Sequence, residues 1–97
     1  VILDPPSYGR GPKGEIWKME ENIFDFLKLV SEVLSDDPAF VILNSYTTGL
    51  QAGVLTCMMD MVFTEKHGGH VVSDEVGLPV SGSGRILPCG AVGRWSR

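Results

Sequence analysis

The chain has 97 residues, 43% of them hydrophobic and 21% charged, and a formal net charge of −4. That length allows one small domain with a modest core, and the apolar share excludes a disordered segment. The acidic balance excludes a nucleic-acid binder that works through a general basic field, so any such contact has to be local or supplied from elsewhere.

Taken in chain order, Val1 to Leu3 are apolar and run into Asp4-Pro5-Pro6, where the missing amide donors end a strand. Val1 is preceded by no initiator Met, basic leader or cleavage signal, and the chain is expected to be a fragment that starts inside that strand. Ser7 to Gly14 reads as loop, because three glycines and Pro12 leave no room for a helix. From Met19 onward, Ile23, Leu27, Val30 and Leu34 recur at helical spacing. Glu20 and Glu21 suit the start of that helix, and Asp36-Asp37-Pro38 is expected to stop it.

Phe40 to Leu43 is an unbroken apolar run, expected to be a strand buried on both faces. Asn44 to Gly49 is a second loop, and Leu50, Val54, Met58, Met61 and Val62 mark a second helix ending at Gly68-Gly69. Val71 to Leu78 and Arg85 to Val92 are extended and flank Pro79 to Gly84, which predicts a hairpin. Pro88 is expected at a bulge or a strand end. The fold class is therefore α/β: strand, helix, strand, helix and a terminal antiparallel β-hairpin.

In open α/β sheets, ligands sit beyond the carboxyl ends of the strands, and Asp4-Pro5-Pro6 and Asn44-Ser45-Tyr46 both fall there. The first supplies a carboxylate and backbone carbonyls on a stiff turn without amide donors of its own. "GRGPKG" lacks the endings of a phosphate loop or a dinucleotide fingerprint. His67 and His70 are separated by Gly68-Gly69 and do not share a helix face, so no metal site is expected. Cys57 and Cys89 show no CxxC pairing and read as reduced structural thiols. Met58, Met59 and Met61 read as core, and Trp17 as a packing anchor for the first loop. The longest apolar stretch, Val54 to Phe63, is interrupted by Asp60 and falls short of the ~18 residues of a membrane span.

With those residues in view, "LDPPSYGRGPKGEIWK", "VILNSYTTGL" and "LPCGAVGRW", separated by helices, make the chain resemble the C-terminal half of a class I S-adenosylmethionine-dependent methyltransferase. More narrowly, it is similar to the bacterial group related to the large-subunit ribosomal RNA cytosine methyltransferases. The resemblance runs over essentially the whole chain. It implies a Rossmann-like sheet with one antiparallel strand, residues 1–97 forming the C-terminal part of one catalytic domain, and a donor-binding half upstream. It implies S-adenosylmethionine as methyl donor, an RNA base as acceptor and a cytoplasmic setting.

By the same resemblance Asp4, Pro5 and Pro6 orient the acceptor, with Asp4 also facing the donor. Tyr8 would stack on the base, and Asn44, Ser45 and Tyr46 would line the far wall. By charge alone, Arg10, Lys13 and Lys18 read either as substrate phosphate contacts or as solvated loop charge. Two departures narrow the acceptor. Ser7 intervenes between the prolines and the aromatic, which counts against an adenine amino nitrogen. The loop Asn44-Ser45-Tyr46-Thr47 carries no cysteine where the cytosine carbon-5 enzymes place theirs. The chain alone is expected to be inactive, and its open sheet edges to favour a dimer. The alternatives are a methyltransferase for a small molecule or protein, and a non-catalytic remnant or interaction module.

Overall fold

In the computed structural model, which describes all residues Val1–Arg97, the first strand is short: β1 is Ile2–Leu3. β2 (Tyr8–Arg10) and β3 (Ile16–Lys18) follow, then helix α1 (Met19–Val33) and β4 (Phe40–Ser45). Helix α2 (Ala52–Met59) runs on through a π-helical stretch, Asp60–Thr64, and a last α turn, Glu65–His67. β5 (His70–Pro79) and β6 (Ile86–Ser96) close the chain.

The main sheet has the order β1-β4-β6-β5. β1 is parallel to β4, while β6 is antiparallel to both β4 and β5. The last strand is thus inserted between two earlier ones, and it is the single antiparallel member that the family resemblance implied.

Both helices pack on one face of this sheet. α1 offers Met19, Ile23, Leu27 and Val30, α2 offers Leu55 and Met59, and the π-helical stretch offers Val62 and Phe63. They meet Val41 and Leu43 of β4 and Ala91 and Trp95 of β6. Trp95 is fully buried, and its ring lies 6.2 Å from Phe63 and 5.9 Å from His67. Its indole N–H donates to the Gly68 carbonyl at 2.9 Å, a direction that Gly68 permits by ending the helix at φ +72°.

Several sequence expectations need correction. β4 is not buried on both faces: Val41, Leu43 and Ser45 are buried, but Phe40 is 44% exposed. The chain has one helical layer, so the opposite face carries an open groove of about 380 Å3 lined by Phe40, Ile42, Val72 and Arg94. Ser7 to Gly14 is not all loop, since Tyr8–Arg10 pairs antiparallel with Ile16–Lys18, with Gly9 opposite Trp17. The glycines that suggested loop close this hairpin, Gly11 N–H donating to Glu15 O at 2.8 Å and Gly14 N–H to Gly11 O at 3.1 Å. α1 ends at Val33, short of Asp36-Asp37-Pro38.

Pro88 lies at a bulge. The β5–β6 register shifts between Val76, which pairs Gly90, and Gly77, which pairs Pro88, leaving Cys89 as the extra residue. β4 pairs β6 only from Ala91 onward, so Pro88 has β5 as its one neighbour. A missing amide there costs little. No helix is long and apolar enough to cross a membrane.

Candidate functional site at the carboxyl edge of the sheet

β1 and β4 end side by side. Their parallel register, Leu3 with Leu43, carried one residue further sets Asp4 beside Asn44. Asp4 is exposed, and its carboxylate takes part in none of the three salt bridges. Asn44 faces away from the helices, in register with Val92 of β6 and, through it, Asp74 of β5. The edge is therefore rich in oxygen acceptors and has a carboxylate left over.

The Asp4-Pro5-Pro6 turn is held from one side by β3 and the first residue of α1. Trp17 Nε1 donates to the Pro6 carbonyl at 2.7 Å, and the Met19 N–H donates to the Ser7 carbonyl at 3.0 Å. The Trp17 ring meets Phe26 edge-on at 5.7 Å. The expectation that Trp17 anchors the loop holds. The Pro6 carbonyl, however, is taken up by that anchor and is not free for a ligand.

From the other side, Thr47 Oγ1 donates to Ser7 Oγ at 2.8 Å, and Thr47 N–H donates to Ser45 Oγ at 3.3 Å. Ser45 is 1% exposed, on the helix side of β4, so its hydroxyl shapes the loop from within rather than facing solvent. Tyr46 is 52% exposed and rests against Gly90 at the base of the terminal hairpin. A Cβ at Gly90 would lie 3.0 Å from Tyr46 Cδ1 and would collide with the Ser45 carbonyl oxygen, so this close approach needs glycine.

The structure thus brings Asp4, Pro5, Pro6, Asn44 and Tyr46 to one edge. Tyr8, Arg10 and Lys13 are on the β2–β3 hairpin and its tip. The Tyr8 hydroxyl is 51% exposed as a residue and accepts from Arg10 Nε at 3.0 Å. Arg10 lines a groove of about 540 Å3 against α1, with Glu15, Trp17, Asp25, Phe26 and Leu29, and that groove does not include Asp4 or Asn44. Lys13 sits where the hairpin turns, its N–H donating to Glu15 Oε2 at 2.9 Å.

Sequence reasoning missed Ser7 and Thr47, which tie the two edge loops together, and Gly90. Ser7 drew notice only as an interruption of a pattern. Cys57, read as a structural thiol, is exposed on α2 and outside the core, and Cys89 is half-buried in the bulge. His67 packs on Trp95 with Nε2 buried and unpartnered, whereas His70 is exposed. No group of three or more His, Cys, Asp or Glu side chains is placed to hold a metal ion. Of the methionines in the second helix, Met59 is core, Met58 packs against it, and Met61 is 55% exposed.

No protein-family model matches the chain, and no curated protein sequence does. Among solved structures, the crystal structure of the SAM-dependent methyltransferase from Agrobacterium tumefaciens matches at a TM-score of 0.87 with 27% sequence identity. The match covers 98% of this chain and 32% of that one, so the chain spans about a third of that neighbour's length. With the sheet order, the inserted antiparallel strand and the paired strand ends described above, the chain has the α/β fold of part of an S-adenosylmethionine-dependent methyltransferase.

Proposed function

We propose that the chain forms the acceptor-facing wall of an S-adenosylmethionine-dependent methyltransferase and that the acceptor is a base of RNA. The observation that carries the first part is the likeness to a solved methyltransferase together with an unpaired carboxylate, Asp4, on a pinned turn at the carboxyl edge. The RNA part rests on the resemblance of the Leu3–Lys18, Val41–Leu50 and Leu87–Trp95 stretches to the ribosomal RNA methyltransferase group. In that setting the protein works in the cytoplasm.

When bound, the donor supplies a methyl group on a positively charged sulfur. The acceptors at this edge, the Asp4 carboxylate and the Asn44 amide oxygen, suit a cationic ligand with N–H groups to share. A glycine-rich turn from strand to helix for the rest of the donor is not among these residues. We assign it to a part of the full-length protein outside residues 1–97, in keeping with the greater length of the neighbour.

What these residues do is bind and orient. Asp4 accepts a hydrogen bond from the acceptor. The Pro5-Pro6 turn fixes the direction of that bond, because Trp17 and the Ser7–Thr47 bridge hold it from both sides. Tyr8 gives a flat face on which an extracted base can stack, worth ~1 to 3 kcal/mol. Asn44 and Tyr46 close the far side. Orientation of this kind can supply ~7 to 11 kcal/mol of a transfer barrier, and the proton that an N–H or O–H acceptor gives up would pass through the Asp4 carboxylate to water. With no thiol at the Asn44–Thr47 loop, the favoured acceptor is an atom that needs no covalent activation.

The test is methyl transfer from labelled donor to unmodified RNA by the full-length protein, followed by mass spectrometry of the nucleosides. A labelled base is expected, and Asp4→Ala should lower kcat at least 100-fold and also weaken donor binding. Donor binding without label in RNA would move the acceptor to a small molecule or a protein. Full turnover by Asp4→Ala would remove Asp4 from the mechanism.

A further inference from the structure

The terminal hairpin outruns the sheet. β4 ends at Ser45, level with Ala91 of β6 and Glu75 of β5. Beyond that level Val76–Pro79 and Ile86–Gly90 pair only with each other, projecting roughly 15 Å past the carboxyl edge at ~3.3 Å per residue. The arm stands on the same edge as Asp4, and β6 lies two strand spacings, about 10 Å, from β1.

This arm is built, not frayed. Its turn is closed by Val80 N–H to Arg85 O at 2.9 Å and by Arg85 N–H to Ser83 Oγ at 3.2 Å. Its root is aimed by the Cys89 bulge and by Tyr46 resting on Gly90. Leu78 pairs with Leu87, and the neighbouring pair Pro79 with Ile86 points to the other face. All four are exposed, Leu78 at 59%, Leu87 at 57% and Ile86 at 66%. A solvated hairpin keeps one face polar, and an arm docked on a flat partner needs only one apolar face. This arm is apolar on both. Between Val76 and Gly90 its one charged residue is Arg85, at the tip, in a chain of net charge −4.

We infer that the β5–β6 arm is a wedge that enters the RNA acceptor, its two apolar faces between unstacked bases and Arg85 on a phosphate, while the target base reaches Asp4. Two-sided apolar insertion with a flanking cation is the chemistry by which proteins open stacked bases, and a flat protein surface would leave half of it in water. The inference rests on the reading of the acceptor as RNA and adds how that acceptor is opened.

The experiment uses full-length protein, labelled donor and in vitro transcribed ribosomal RNA as probe, with three variants: Ile86→Ser, Leu87→Ser and Arg85→Gln. These side chains are exposed within residues 1–97, and circular dichroism and donor affinity equal to the parent's are expected; a loss of either would place the arm against the rest of the full-length protein and overturn the wedge. The two apolar variants should raise KM for RNA at least 10-fold, and Arg85→Gln should lower the salt dependence of RNA binding by about one phosphate contact. If RNA is methylated and all three variants keep the parental KM and salt slope, the wedge is wrong and the function stands. If the variants instead change the molecular mass by light scattering with transfer unaltered, the arm is an interface between copies and the wedge is again wrong. If the parent binds donor and labels no RNA, the functional reading fails and the wedge falls with it.

Discussion

The turn that carries Asp4 is held by one indole, and that can be measured. Trp17→Phe keeps a ring against Phe26 and removes only the 2.7 Å bond to the Pro6 carbonyl. Pro6 is exposed, so water can replace the lost donor, and the cost belongs at the low end for a hydrogen bond, about 0.5 to 1 kcal/mol. Trp17→Ala also loses a half-buried ring. Roughly 100 Å2 at ~25 cal/mol per Å2 is about 2.5 kcal/mol, and the edge-on pair adds ~0.5 to 1. Urea unfolding followed by circular dichroism should separate the two variants. With a slope of ~1.2 kcal/mol per M, Trp17→Phe should move the midpoint by about 0.6 M and Trp17→Ala, which loses the bond as well as the ring, by about 3 to 4 M. Hydrogen exchange at the Met19 amide, which donates to the Ser7 carbonyl, should quicken in Trp17→Phe before global stability is much reduced. If exchange there matches the parent while the midpoint still falls, the indole stabilises the hairpin but does not hold the turn, and the positioning argument for Asp4 collapses.

Three further expectations concern the same framework. Gly90→Ala puts a methyl against the Ser45 carbonyl, a backbone atom that cannot rotate away, and should cost ~1 to 3 kcal/mol; an unchanged melting temperature would mean that the hairpin root gives way freely. Trp95→Phe removes the bond to Gly68 and leaves a void beside Phe63, and a loss of ~2 to 4 kcal/mol in chemical denaturation is expected, with less than 1 refuting the central place of that indole. A double-mutant cycle of Ser7→Ala and Thr47→Val should show a coupling of ~0.5 to 1 kcal/mol, and strict additivity would show the bridge between the two loops to be incidental.

What could be read from the sequence was whatever depends on near neighbours. The spacing of Ile23, Leu27 and Val30 placed α1 and its buried face, and the strand-end rule placed Asp4 and Asn44 on one edge. The bonds that make this edge rigid join residues 11 and 40 positions apart, and no local pattern announces them. The β2–β3 pair was hidden for a related reason. Tyr8-Gly9-Arg10 looks like loop until Ile16-Trp17-Lys18 folds back on it. The apolar run at β4 says nothing of its two faces, because a half-covered strand can be apolar throughout. The π-helical stretch at Asp60–Thr64 escaped as well; it keeps Val62 and Phe63 buried together, a shift of phase that a regular helical pattern does not display.

The position of β6 governs when the domain can exist. β5 touches β4 nowhere in the sheet except through the strand made after both. At a synthesis rate of ~5 to 20 residues per second, the edge of Phe40–Ser45 waits roughly 2 to 10 s for Ala91–Ser96 to arrive. During that interval an apolar strand lies open on the ribosome, and Trp95, the largest piece of the core, has not been made. Loss of Ala91–Ser96 would therefore remove the middle of the sheet and the centre of the core together, so that damage to this one strand is felt as loss of the whole domain.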